Sequence, residues 1–187
     1  YYPDAECGVV LSYEAEDGSG VISTRCLNFE DAVTEINSLN KKRDYVITIT
    51  DDSIATPVSV PKGLTFPRAG AVAELTIKGG NIYFTGNLTF TSNTILENIT
   101  LVQMIKKGNE YVYASVNEYR NAVQISTSGY SLTFKQNVNF NDPVELKGSN
   151  KGTLIFDKTA NVNTDNTFVG SISQFASIEI PKGIDLQ

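Results

Sequence analysis

LTIKGGNIYFTGNLTFTSNTILENITL, residues 75–101, is the stretch from which the fold is read. Leu75/Ile77, Ile82/Phe84, Leu88/Phe90 and Ile99/Leu101 each alternate with polar neighbours, and glycines and asparagines separate the pairs. Alternation with a period of two places every second side chain on one face of a strand. Runs this short do not make a stable hairpin sheet by themselves. Short strands with inward Leu, Ile and Phe, joined by Gly and Asn corners that accept φ > 0, are the material of a coiled solenoid. Working outward, Leu75 is echoed by Ile99, Val123 and Leu146, at nearly equal spacing along the chain. The positions two places on are Ile77, Leu101, Ile125 and Gly148, so three of four copies keep the inward pair. Pro61-Lys62-Gly63 returns as Pro181-Lys182-Gly183, an offset equal to five of the steps from Leu75 to Ile99. The expected fold is all-β: a right-handed parallel β-helix of about six turns of roughly 22–24 residues over residues 44–187. A β-sandwich with irregular strands is the alternative.

Two further segments precede it. Residues 1–27 contain VVLSY and GVISTRC around an Asp17-Gly18 turn, a β-hairpin whose ends carry Cys7 and Cys26, the chain's two cysteines. A disulfide between them would tie down a marginal two-stranded element; two thiols in a reducing compartment is the other reading. In residues 28–43, Phe29, Ala32, Val33, Ile36 and Leu39 recur at helical spacing, with Asn28 as N-cap and Asn40 to Arg43 closing the end. This amphipathic helix is expected to cap the exposed end of the solenoid. Tyr45–Thr50 (YVITIT) reads as the first buried strand, stopped by Asp51-Asp52, and Val58–Val60 and Leu64–Phe66 read as strands flanking the first Pro-Lys-Gly corner.

Composition narrows the chemistry. The 187 residues suit one core, and the net charge of −6, without any basic block, argues against nucleic acid. No apolar stretch is long enough to span a membrane. Histidine is absent, which removes Ser-His-Asp and Cys-His catalysis and the common zinc and iron sites; no metal and no cofactor is indicated. The abundance of Thr, Asn and Ser with 19% charged residues suits a secreted bacterial β-protein. The abrupt YYPDAE start and strand-like IEIPKGIDLQ end read as a trimmed piece whose parent continues beyond Gln187.

The order FEDAVTEINSLN, YVITITDD, PVSVPKGLTF, LTIKGG and ILENITL resembles the pectin-lyase-like right-handed β-helix modules of large bacterial surface proteins. That resemblance implies a β-helix from Val21 to Leu186, and either a polysaccharide lyase or hydrolase or a non-catalytic adhesin, stalk or display module. Members resembling polygalacturonases carry Asn-Thr-Asp, Asp-Asp, Gly-His-Gly and Arg-x-Lys. Here Asn163-Thr164-Asp165 matches the first by letters, the Asp51-Asp52 pair lies far upstream, and the histidine motif cannot exist. Pectate lyases of this fold use Ca²⁺-binding aspartates and an arginine base; Asp142 and Asp165 sit on expected corners, and Arg120 has no acidic partner in sequence.

The remaining candidate groups are carboxylates and tyrosines. Asp142 and Asp165 are one expected turn apart and would stack near enough for paired-carboxylate chemistry, although Asp is also an ordinary turn former. Tyr83, Tyr111, Tyr113, Tyr119 and Tyr130 could form a flank on which sugar rings stack. Tyr111, Tyr113, Tyr119, Arg120, Asp142 and Asp165 are therefore the candidate ligand-binding residues. Asn87-Leu88-Thr89 and Asn98-Ile99-Thr100 match the glycosylation pattern, yet Asn98 better suits an internal corner. The sequence favours a non-catalytic structural or adhesive module of a secreted or cell-surface protein, with a glycan or a cell-surface protein as partner. Carbohydrate binding or processing is the alternative.

Overall fold

A computed structural model describes residues 6–114, 123–126, 129–141, 144–147, 152–164, 169–170 and 177–179. The chain opens with an antiparallel hairpin, β1 (Val9–Glu14) and β2 (Val21–Cys26), in unbroken register from Val9↔Cys26 to Glu14↔Val21. Gly18 at φ 74° closes the turn, and the Asp17 carboxylate accepts the Ser19 N–H at 2.9 Å. Helix α1 (Phe29–Leu39) begins where Asn28 accepts the Asp31 N–H at 3.0 Å. It ends at Asn40, which is left-handed (φ 49°, ψ 40°). The helix is thus shorter than the sequence suggests, because Arg43 belongs to the next strand, β3 (Arg43–Ile49). Phe29, Ala32 and Ile36 are buried, as their spacing requires.

A second helix was not legible. Helix α2 (Asp52–Ala55) occupies the place read as a strand stop: the Asp51 carboxylate caps it, accepting the Ser53 N–H at 3.1 Å and the Ser53 hydroxyl at 2.6 Å. So short a helix cannot show a helical period. Val58–Val60, expected as strand, lie in a turn closed by Val60 N–H donating to Pro57 O at 3.0 Å.

The remaining strands are β4 (Leu64–Thr65), β5 (Val72–Phe84), β6 (Leu88–Thr89), β7 (Asn93–Lys107), β8 (Glu110–Tyr113), β9 (Val123–Ser126), β10 (Ser131–Asn141), β11 (Val144–Lys147), β12 (Thr153–Phe156), β13 (Asn161–Thr164), β14 (Val169–Gly170) and β15 (Ser177–Glu179). A ten-stranded mixed sheet runs β15-β12-β10-β7-β5-β3-β1-β2, with β13 on β10 and β8 on β7. A five-stranded sheet runs β14-β11-β9-β6-β4. Pairing is antiparallel in β2-β1-β3 and in β7-β8, and parallel elsewhere.

This corrects the expected fold and the resemblance that carried it. The chain is not an all-β, right-handed parallel β-helix with only a capping helix. It is a mixed parallel and antiparallel sheet assembly with two helices woven into the strand order. The solenoid and pectin-lyase-like descriptions fall with it. The fixed register also fails. Leu75 pairs with Tyr45 and Thr94, whereas Ile99 pairs with Gly80 and Val138. The column through Thr94 continues to Leu132, Leu154 and Ile178, so its steps are unequal, and the one from Thr94 to Leu132 is by far the longest. That step contains β8, an excursion that no constant period accommodates. The second Pro-Lys-Gly copy lies outside the described residues.

The core follows the pairing. Ile47, Ile77, Leu96, Phe134 and Phe156 oppose one another in succession, and all are buried. On the smaller sheet Leu64 opposes Leu88, and just beyond them Phe66 stacks on Phe90 at 5.0 Å with the rings 9° apart. Phe29 of α1 meets Phe66 edge-on at 5.7 Å, so the helix packs onto the start of that sheet.

The long strands β5, β7 and β10 bend at one level. Gly79 (φ 96°) and Asn98 (φ 50°) lie between the matched pairs Lys78↔Glu97 and Gly80↔Ile99. Gln136 (φ 60°) sits at the corresponding shift in β10. The Asn98 carboxamide oxygen accepts the Asn137 N–H at 3.3 Å, and Asn161 Nδ2 donates to Asn137 Oδ1 at 3.1 Å. Asn98 therefore occupies an internal corner, where its side chain satisfies backbone that the bend exposes.

Candidate functional site

Strand β8 folds back on the end of β7 through Gly108 (φ 62°), pairing Met104↔Tyr113, Ile105↔Val112 and Lys106↔Tyr111. Directly opposed residues share a face. Tyr111, Tyr113, Met104 and Lys106 are thus brought to one side, and Tyr83↔Val102 extends it onto β5. This side is turned away from the main core. Tyr83, Val102 and Met104 form a second buried cluster, against which Val58 and Tyr111 pack.

Two polar contacts hold the cluster. The Tyr83 N–H donates to Thr56 Oγ1 at 2.8 Å, tying β5 to the segment after α2. Asn81 Nδ2 donates to the Tyr83 hydroxyl at 3.1 Å. Burial pushes the Tyr83 phenol above its ordinary range; the Asn81 bond opposes this, while Asp52 and Tyr113 reinforce it. Tyr83 is 6% exposed and Tyr113 61% exposed, so a buried and a solvent-projecting tyrosine share this side. A depression lined in part by Thr56, Pro57, Val60, Pro61, Lys62 and Tyr83 adjoins it, with Lys62 ion-paired to Glu30.

Of the candidate residues, Tyr111 and Tyr113 are brought together here. Tyr119, Arg120, Asp142 and Asp165 lie outside the described residues. Tyr83 faces away from the main core as the alternation indicated, but Val58 and Tyr111 cover it. Tyr130 is exposed beside β10. Gln103, missed in the sequence, is fully buried on β7, and neither its amide nitrogen nor its amide oxygen finds a hydrogen-bond partner among the described residues. A single polar letter within LVQMI was its only trace.

Cys7 and Cys26 are both buried. Burial, then the charges of Asp31, Glu35 and Cys7, push the Cys26 thiol up to about 11. The folded state therefore holds this proton where the unfolded chain, at 9.0, releases it. The stabilisation is complete below pH 9 and is lost as pH rises towards 11. Urea midpoints measured at about pH 8 and about pH 10.5 should fall further for the wild type than for Cys26→Ala. Equal falls would remove Cys26 as a source of alkaline sensitivity.

No family model, curated protein or solved structure matches the chain. Among the described residues no group of three His, Cys, Asp or Glu side chains is placed to hold a metal ion. No described helix is long and apolar enough to cross a membrane.

Proposed function

We propose that the chain is a non-catalytic structural or adhesive module of an extracellular bacterial surface protein, making contact through the tyrosine face of β7 and β8. The observation that carries this reading is Tyr113, exposed at 61% yet held on β8 directly opposite the buried Met104 of β7. An exposed aromatic ring on a stiff support loses little freedom when a partner covers it, which favours binding. The extracellular assignment rests on the Thr-, Asn- and Ser-rich, histidine-free composition.

Tyr113 also favours a second reading, that the face binds a glycan, since pyranose faces stack on tyrosine rings while Lys106 lies on the same side. One experiment addresses both readings: the chain and Tyr113→Ala are applied to arrays of oligosaccharides and extracellular-matrix proteins, with reducing-end release measured on any bound glycan. Retention on at least one surface, reduced tenfold or more by Tyr113→Ala and without sugar release, is expected. Release of reducing ends, or retention unchanged by Tyr113→Ala, overturns the proposal.

A further inference from the structure

Strand β2 is the last strand of the ten-stranded sheet and pairs only with β1. Among the described residues no strand pairs with its outer edge. Such an edge presents unsatisfied N–H and C=O groups, and proteins that remain single normally guard it with Lys, Pro, a bulge or a covering loop. The strand reads VISTRC, without lysine or proline, and its register with β1 is unbroken from end to end. Val21 and Ile22 are 67% and 41% exposed, and Ser23 is exposed beside them. Consecutive residues point to opposite faces, so this half of the strand is uncovered on both.

We propose that this edge pairs with the same edge of a second copy of the chain, antiparallel and about a two-fold axis near Ile22 and Ser23. The charge pattern selects that occupant and that direction. Glu14 and Asp17 lie at one end of β2, where Glu16 is taken up by ion pairs to Lys41 and Arg43, and Arg25 lies towards the other. Antiparallel pairing about Ile22–Ser23 brings Arg25 of each copy to the start of the other's β2. Glu14, opposite Val21, stands one strand away from it. Parallel pairing would instead set Glu14 and Asp17 of the two copies side by side. A two-fold axis satisfies both edges with one patch, covers Val21 and Ile22, and joins two ten-stranded sheets into one. The proposal does not depend on the tyrosine face.

Sedimentation velocity across a concentration series of the whole chain tests it. A monomer–dimer equilibrium is expected that weakens as salt is raised. Val21→Lys, at an exposed position, should shift the dissociation constant at least tenfold towards monomer while leaving the thermal midpoint of the monomer unchanged. Arg25→Glu should weaken the dimer, and Arg25→Glu combined with Glu14→Arg should restore it. A chain that stays monomeric at millimolar concentration overturns the proposal. So does a dimer indifferent to Val21→Lys, which would place the contact elsewhere.

Discussion

Phe90→Ala is expected to destabilise the fold by about 3–5 kcal/mol, the range for emptying a buried aromatic site. Phe90 is fully buried and stacked on Phe66 at 5.0 Å. Phe66 in turn supports Phe29, so the cavity would open beneath the contact through which α1 reaches the smaller sheet. The side chains around it are fixed to strands that hydrogen-bond one another: Phe66 N–H donates to Thr89 O at 2.9 Å, and Thr91 Oγ1 to Phe66 O at 3.0 Å. They cannot collapse inward without breaking those bonds, which places the loss high in the range. In a chain of 187 residues that corresponds to a melting temperature lower by roughly 10 °C. Thermal and urea unfolding of Phe90→Ala beside Phe90→Leu reads it, with the leucine variant losing clearly less. A loss below about 1 kcal/mol for the alanine variant would mean that this stack does not hold the sheet to the helix.

The second large effect is expected at Gly8. A methyl group there would lie 2.4 Å from the Ala55 nitrogen, 2.7 Å from the Ala55 Cα and 2.7 Å from the Leu27 carbonyl oxygen. All three are backbone atoms, so no side chain can swing aside. Gly8 also donates its N–H to Leu27 O at 2.8 Å and accepts the Thr50 N–H at 2.9 Å. Hairpin, α2 and the end of β3 therefore meet at one residue. Gly8→Ala must push them apart and is expected to cost about 3 kcal/mol or more, the upper end for overpacking. Gly18→Ala serves as the contrast. Nothing lies within 4 Å of its added methyl, and only its φ of 74° resists, so a loss of about 1–2 kcal/mol is expected from strain alone. Equal losses for the two variants would contradict the close approach at Gly8.

These two sites mark where sequence reading succeeded and where it could not reach. Elements with a local cause were legible. The hairpin followed from alternation and Asp17-Gly18, α1 from the spacing of Phe29, Ala32 and Ile36, and the corner at Asn98 from asparagine's tolerance of positive φ. Elements decided by contact with distant chain were not. Gly8 gives no local sign that Ala55 will lie against it. Helix α2 is shorter than any period. The register fails for a related reason. Alternation leaves an apolar residue at nearly every second position, so an apparent repeat can be found from Leu75 to Ile99 although Leu75 opposes Thr94 and Ile99 opposes Val138. The pairing is fixed instead by the bends at Gly79, Asn98 and Gln136, which must coincide in space whatever their separation in sequence. The tyrosine face was legible in part: alternation sets Tyr111 and Tyr113 on one side of a strand, but the packing of Tyr111 against the Tyr83 cluster depends on β8 folding back across β7.

The strand order of the larger sheet carries a consequence for synthesis. From β1 onward each strand along the path β1-β3-β5-β7-β10-β12-β15 lies beside the one before it and never waits for one that comes later. A chain emerging from the ribosome N-terminus first therefore always has its template already in place. The hairpin and α1, built from near neighbours in sequence, supply the first of these templates quickly. Each later strand then needs only to close a single loop onto a standing edge, so assembly can keep pace with translation as successive additions, without one late search involving the whole chain.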